Sequence, residues 1–563
     1  IQFIDILATS NAHQTADLLR EKGIMWEKLG ERERDAIFQT IYRSDNEQTS
    51  KLLRELRRMG ATWEDLEKNE KTVILQTIER SNDEEALELI EDLRVLETTW
   101  ESLGENGKTM ILQTIGRSDA YQTVYILEIL REIGATWEKL GEDWRTAVLQ
   151  VIERSDAGQT AHILEDLREQ KITWKDLGER WRNAVLQTIQ RSNAKGTADL
   201  LRELRKLGIT WKAIGKEEQN VVLQTIERSD ADQTSDLLRE LREQGKTWKE
   251  LGEKWRTAVL QTIDQSDAEQ TAYLLHEIST MGESWLNLED MWRNTALQTI
   301  KQSDASQTSH LLKELREQEI TWEKLGKQTR TMVLQTMEHS NALQTSKILR
   351  EFREQGITWD KLKEQTRTAI LQTVEQSDAK QTSKLLSELR KMGGTWENLN
   401  DQERATVLQT IRRSDALQTS NLINELREMG ATLEDFGDQE RTAVLQTVDR
   451  SNALQTSHLL KELREQNIAW KDFRGQERIA VLQTIERSDA YQTSFLLREL
   501  NEQGVSWQNL GIQGRTVALE TTERSHEEQT IFLLKELRKQ GVIWDKVPEE
   551  YRIKLKKHKK IFE

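Results

Sequence analysis

Cysteine is absent from this 563-residue chain, which removes disulfides and thiolate metal sites and suits a cytosolic protein. Proline occurs once, so helices run without the breaks imposed by its missing N–H and fixed φ. No apolar run approaches the roughly 20 residues needed for a membrane-spanning helix, and no secretory leader is visible. Basic charge is also short: 81 Lys and Arg against 97 Asp and Glu leave a formal charge of −16. That balance opposes indiscriminate attraction to nucleic acid or anionic membrane, while leaving room for a local basic surface. Phosphate-binding glycine loops, HExxH, nucleophile elbows and Cys/His metal clusters are missing as well. The eight His are dispersed, and the many carboxylates spread at a regular spacing instead of converging. The sequence thus predicts no catalytic residue, no metal, no cofactor and no small-molecule substrate. The chain is expected not to be an enzyme, and to be a cytoplasmic monomer.

What the chain does contain is one stretch repeated along its length. Trp returns every 37 residues from Trp26 to Trp544, giving 15 registers without a slip, with Leu433 in the twelfth. A fixed period in this range is the signature of stacked helical units. The sequence therefore predicts an all-α fold, an α-solenoid superhelix of about 15 tandem 37-residue helix-turn-helix repeats. Residues 1–26 form a shortened first repeat, 27–544 the tandem array as one solenoid, and 545–563 a basic tail holding Lys554, Lys556, Lys557, Lys559 and Lys560. That tail is expected to be a solvated terminal helix.

One unit shows how the repeat folds. In Ser229-Asp230-Ala231-Asp232-Gln233, Asp230 can accept from free N–H groups at a helix start, and Gln233 can reach back as in a capping box. Asp or Asn holds the first of these positions in 14 of 15 copies, His526 excepted, and Gln or Glu the second in 14 of 15, Gly196 excepted. Thr234, Leu237, Leu238 and Leu241 form the apolar face, and Gly245 ends the helix, with Gly in 11 of 15 copies. Thr247 is expected to cap a short turn carrying Trp248 and Leu251. A further helix runs from about Glu253 to Gln265, with Val259, Leu260 and Ile263 inward. The recurring Trp reads as a core wedge between units.

Comparing the copies separates varying from fixed positions. The residue before the capping Gln, and the one four further on, change from copy to copy. They share a helical face opposite the leucines and should meet solvent. This stripe is the candidate ligand surface: Tyr121, Tyr125, His162, Lys195, Asp232, Asp236, Tyr273, His310, Leu343, Lys347, Lys380, Lys384, Asn421, His458, Tyr491 and Phe495. Exposed aromatic and aliphatic residues in a line along one face suggest a binding groove. Flanking it is a nearly unvarying Arg column, the candidate contact for a ligand backbone or phosphate: Arg57, Arg94, Arg131, Arg168, Arg205, Arg242, Arg316, Arg353, Arg390, Arg427 and Arg464.

A second basic column, Arg34 to Arg552 through Arg256, opposes the macrodipole of its helix start. It calls for a compensating partner, either an acidic residue such as Glu253 or a ligand phosphate. Gln261 recurs in 13 of 14 copies, from Gln39 to Gln483, and is expected to form a ladder between units or to touch a repeating ligand.

The order Gln-Thr-Ser-x-Leu-Leu-x-x-Leu-x-x-x-Gly-x-x-Trp-x-x-Leu, followed by an apolar helix, resembles the octotricopeptide repeats and their 37-residue heptatricopeptide relatives. The similarity runs from Asn11 to Pro548, and Trp544-Asp-Lys-Val-Pro548 is similar to the family's Trp-x-x-Leu-Pro segment. The resemblance implies an organellar or bacterial RNA-binding solenoid, single-stranded RNA as partner, and about one base per repeat. The alternative is a scaffold that grips an extended peptide or protein partner.

Overall fold

The computed structural model describes residues 2–432 and 435–562; Leu433, the outlier of the Trp column, lies outside them. The chain divides into two compact units, Ile1–Ser266 with Tyr273–Asn287, and Asp267–Ala272 with Leu288–Glu563. In a stack whose repeats touch only their neighbours, compactness does not extend along the array. Within each unit the described residues form an all-α solenoid of tandem helical pairs, and successive second helices pack side by side. No helix among the described residues is long and apolar enough to cross a membrane.

The second helices begin where the capping residues place them. Ala231–Glu243 starts after Asp230, whose side chain accepts from the Gln233 N–H at 2.8 Å. Reciprocal boxes occur at Asp156 with Gln159 and Asn341 with Gln344. Gly196, the exception, faces Gly158 of the preceding repeat; a Cβ there would lie 3.1 Å from the Gly158 nitrogen. Close backbone approach therefore excludes the usual Gln.

At the opposite end the left-handed residue is a property of the position. Gly245 has φ +80°, yet Glu97, Lys171, Glu319 and Asn467 hold φ between 58° and 66° in the same column. A side chain in that region costs about 1 kcal/mol. Lys171→Gly and Glu319→Gly are expected to protect the preceding helix by about that amount, read as slower amide exchange over Ala157–Glu169 and Ala305–Glu317.

Thr234, Leu237, Leu238, Leu241, Val259 and Ile263 are fully buried, as the periodicity predicts. The Trp turn is a three-residue 3-10 helix, Trp248–Glu250. Thr247 does not cap it through its own side chain. Instead Glu250 reaches back, accepting the Thr247 N–H at 2.8 Å and its hydroxyl at 3.1 Å. These hydrogen bonds hold the Glu250 carboxyl below the usual range.

The wedge role of Trp is visible in its ties. The Trp63 indole N–H donates to the Ser102 carbonyl at 3.0 Å, and its backbone N–H to the Leu96 carbonyl at 2.7 Å, both in the next repeat. Four further Trp lie on first helices. Trp144, Trp181 and Trp255 meet Trp100, Trp137 and Trp211 edge to face at 5.2–5.7 Å.

The tail is not a solvated helix. Helix Glu549–Lys554 and the turn Lys556–Ile561 bury Tyr551 and His558, while Lys557 meets Glu527 at 3.1 Å and Lys554 bonds Glu523. The basic tail caps the last repeat against acidic partners.

Candidate functional site

Of the fixed columns that sequence comparison marked, the Arg242 column ties one repeat to the next. The Arg242 column meets a buried carboxylate of the following repeat: Arg168 with Glu203 at 3.2 Å, Arg205 with Glu240 at 2.8 Å, Arg242 with Glu277 at 3.3 Å. Arg316, Arg353, Arg390 and Arg464 do the same with Glu351, Glu388, Glu425 and Glu499 at 2.6–3.2 Å. Arg427 reaches Glu465 at 3.0 Å, Arg57 pairs with Glu97, and Arg94 meets Glu132 at 3.1 Å. Glu240 is nearly fully buried, whereas its Arg partner keeps about a third of its side chain in solvent. Charge that sequence reasoning offered to a ligand backbone is largely neutralised within the stack.

Glu240 also accepts from Gln244 Nε2 at 2.9 Å, and Gln244 Oε1 accepts the Trp211 N–H of the preceding repeat at 2.6 Å. One buried carboxylate thus organises an Arg, a Gln and a Trp turn across the joint. Its column was overlooked in the sequence because an acidic residue next to a leucine face reads as surface.

Asp166 shows what the column requires. One methylene shorter than Glu, it stands 3.6 Å from Arg131 and leaves Oδ1 without a hydrogen bond. Burial pushes its carboxyl up to about 6, against an ordinary value of 3.8, although Gln170 and Arg131 oppose this. The folded chain therefore binds this proton more tightly than the unfolded one. The contribution to stability is complete below the unfolded value and is lost as pH rises through about 6. Asp166→Asn is expected to add about 2 kcal/mol of local stability at neutral pH and nothing at pH about 4. Amide exchange over Ala157–Glu169 at the two pH values checks it.

The Arg256 column meets the acidic residue of its own helix start at some copies: Lys108 lies 3.4 Å from Glu105, Arg404 3.9 Å from Asp401, and Arg293 bonds Asp290. At several copies the cation also lies over the Trp ring of its own repeat and donates to that turn's carbonyl, as Arg34 and Arg145 do. Arg367 is 5.2 Å from the Trp359 ring and donates to the Trp359 carbonyl at 2.9 Å, and Arg404 repeats this on Trp396. Gln219, the neutral exception, donates to the Trp211 and Ile214 carbonyls at 3.0 Å. Carbonyls and a ring face offset the cost of a cation at a helix start, joined at some copies by the acidic residue of the Glu253 column.

Two further ties had no counterpart in the sequence reading. At most joints the serine before the cap accepts from the first helical N–H of the preceding repeat, as Ser266 does from Ala231 at 3.0 Å. The arginine before that serine caps the carbonyl end of the preceding first helix: Arg191 donates to Ser155 and Ile152, Arg524 to Ser488 and Ile485. The expected Gln ladder does not form. Gln261 and its equivalents are exposed, with no side-chain hydrogen bond among the described residues.

The variable stripe is where solvent begins. Tyr121, Tyr125, Tyr273, Leu343 and Leu417 are exposed hydrophobics. His162, Lys195, Asp232, Lys380, Lys384, Asn421 and His458 are exposed too, and Asp236, His310, Lys347, Tyr491 and Phe495 half-buried. Partial burial and Asp236 together raise the Asp232 carboxyl, and burial with Glu91 raises the Tyr125 hydroxyl. Within each unit the first column of the stripe touches the second column of the next repeat at several joints. Tyr121 meets His162 at 4.9 Å, Glu269 meets His310 at 3.7 Å, Lys347 donates to Ser306 at 2.5 Å, and Tyr491 meets Phe532 at 5.1 Å. Two clefts of about 420 and 460 Å³ lie elsewhere, beside Trp turns, and no stripe residue lines either.

No family model matches this chain, and no curated protein matches it. Among known structures it is similar to a crystal structure of Kap121p, with 11% identity and a TM-score of 0.26, covering 96% of this chain and 68% of that one. It is similar also to the S. pombe condensin Cnd3-Cnd2 subcomplex, with 11% identity and a TM-score of 0.22 over 95% of this chain and 86% of that one. A homology model of the full-length AP-3 complex gives 9% identity and a TM-score of 0.24 over 99% and 93%. Likenesses this distant transfer no function.

Proposed function

We propose that this chain is a non-enzymatic modular binding protein that holds single-stranded RNA along the exposed stripe of its second helices, about one base to a repeat. The observation that carries this reading is the run of the stripe along each unit. Side chains that differ from repeat to repeat stand at a fixed pitch and touch across several joints, as Tyr121 does with His162 and Tyr491 with Phe532. Exposed Tyr, Phe and His can stack on bases, and Asp, Asn, Lys and Ser can bond to base edges. The resemblance to heptatricopeptide repeats supports the same partner.

A gripped peptide is the second reading. It is favoured by the acidic stripe of the first unit, where Asp17, Glu47, Glu84 and Glu88 would suit a basic extended segment. Fluorescence anisotropy with labelled random-sequence RNA, at low and physiological ionic strength, separates the two. Binding that weakens steeply with salt supports RNA. Absence of RNA binding, with capture of basic peptides from a random library, overturns it.

A further inference from the structure

We propose that nucleic acid is held by the second unit alone, on the stripe bounded by Glu269 and Glu528, with Phe532 as the stacking platform that ends the track. This rests on the RNA reading above. Three exposed columns of each second helix share one face: the two variable ones and the residue three positions further on, at Arg239 in the repeat that starts with Asp230. From Ser306 to Arg498 these columns contain no carboxylate. In a chain of net charge −16, that is a window of local positive potential. Arg350, Lys380, Lys384 and Lys461 are exposed there and form no ion pair. They differ from the Arg242 column, whose guanidinium groups are already neutralised by buried glutamates.

The window holds stacking groups as well as charge. Tyr491 meets Phe495 at 5.0 Å and Phe532 at 5.1 Å, both edge to face, and Arg498 lies 5.1 Å from the Phe495 ring. Edge contacts leave ring faces open, and Phe532 is 51% exposed. Arg498 itself is tied to Glu536 at 3.2 Å, so the unpaired cations of the window stand on the repeats before these rings. Rings and unpaired cations along one face are the combination that holds single strands without reading sequence. In the first unit, by itself, the same three columns hold Glu47, Glu84, Glu88, Glu91, Glu128 and Glu165. Several of its arginines there are bound locally: Arg54 to Asp92 at 2.9 Å, Arg202 to Asp199 at 2.7 Å and Arg239 to Asp236 at 3.0 Å. That surface repels phosphate. The footprint is therefore about six nucleotides, one per repeat of the window, and not about fifteen.

The test uses the full chain and fluorescein-labelled random-sequence RNA of about twelve nucleotides, titrated at several salt concentrations. The reversal R350E/K380E/K384E/K461E is expected to lower affinity at least about 100-fold. The neutral set R350Q/K380Q/K384Q/K461Q should fall between and reduce the salt slope by about four. Phe532→Ala should cost roughly tenfold, and E84Q/E88Q in the first unit less than about twofold. All seven positions are exposed, so unchanged circular dichroism shows that loss of binding is not loss of fold. If the wild-type chain binds no RNA, the RNA reading itself fails. If it binds and the reversal and neutral sets match it in affinity and salt slope, the confinement to the second unit is wrong while RNA binding stands.

Discussion

Glu240→Ala is expected to destabilise its joint by about 2–3 kcal/mol, because a partly buried ion pair loses its buried member and the partners lose their shared acceptor. Arg205 donates to this carboxylate at 2.8 and 3.1 Å and Gln244 at 2.9 Å. Removing it leaves the guanidinium without its partner and releases the amide that receives the Trp211 N–H. The double replacement Arg205→Met with Glu240→Leu should cost far less, since neither charge then remains to be desolvated. Amide exchange over Ala194–Lys206 and Ala231–Glu243 reads the effect locally. Equal losses from the single and double replacements would show that packing, and not the ion pair, holds the joint.

Trp359→Ala is the second large effect, expected at about 3–5 kcal/mol. The side chain is 1% exposed, supports Arg367 on its ring, and its backbone N–H donates to the Met392 carbonyl of the next repeat at 2.9 Å. Trp359→Phe keeps a ring for the cation and should lose roughly 1–2 kcal/mol. Calorimetry of the full chain should show a separate early transition for the alanine variant, because neighbours in a stack uncouple when one joint fails. A single unshifted transition would remove Trp from the role of wedge.

The fold was legible because its signals are local. Asp230, Gln233 and Gly245 state the ends of a helix in their own side chains or lack of one, and Leu237, Leu238 and Leu241 state its inner face. The joints were less legible because their acceptors are backbone carbonyls, which every residue carries and no sequence marks. Arg367 and Gln219 share in their column the carbonyls of the Trp turn, and the difference in charge conceals it. Glu240 was concealed in the opposite way, since an acidic residue suggests solvent until its partner one repeat away is known. The exposure of Tyr121 and Lys384 followed from helical geometry. The contact of each stripe residue with the next repeat did not, because it depends on how closely the second helices pack.

The joints also bear on how so long a chain folds. The side-chain hydrogen bonds and ion pairs described between neighbouring repeats, from the Trp211–Gln244 bond to the Lys347–Ser306 bond, close loops of 33 to 41 residues. Loop-closure entropy grows only with the logarithm of loop length, so each added repeat meets the same search as the one before it. Contact order relative to length falls as the array grows, and chains rich in short-range contacts fold fast. A nucleus can form at any repeat and spread to its neighbours, so the time to fold is set by one period and not by the 563 residues of the whole.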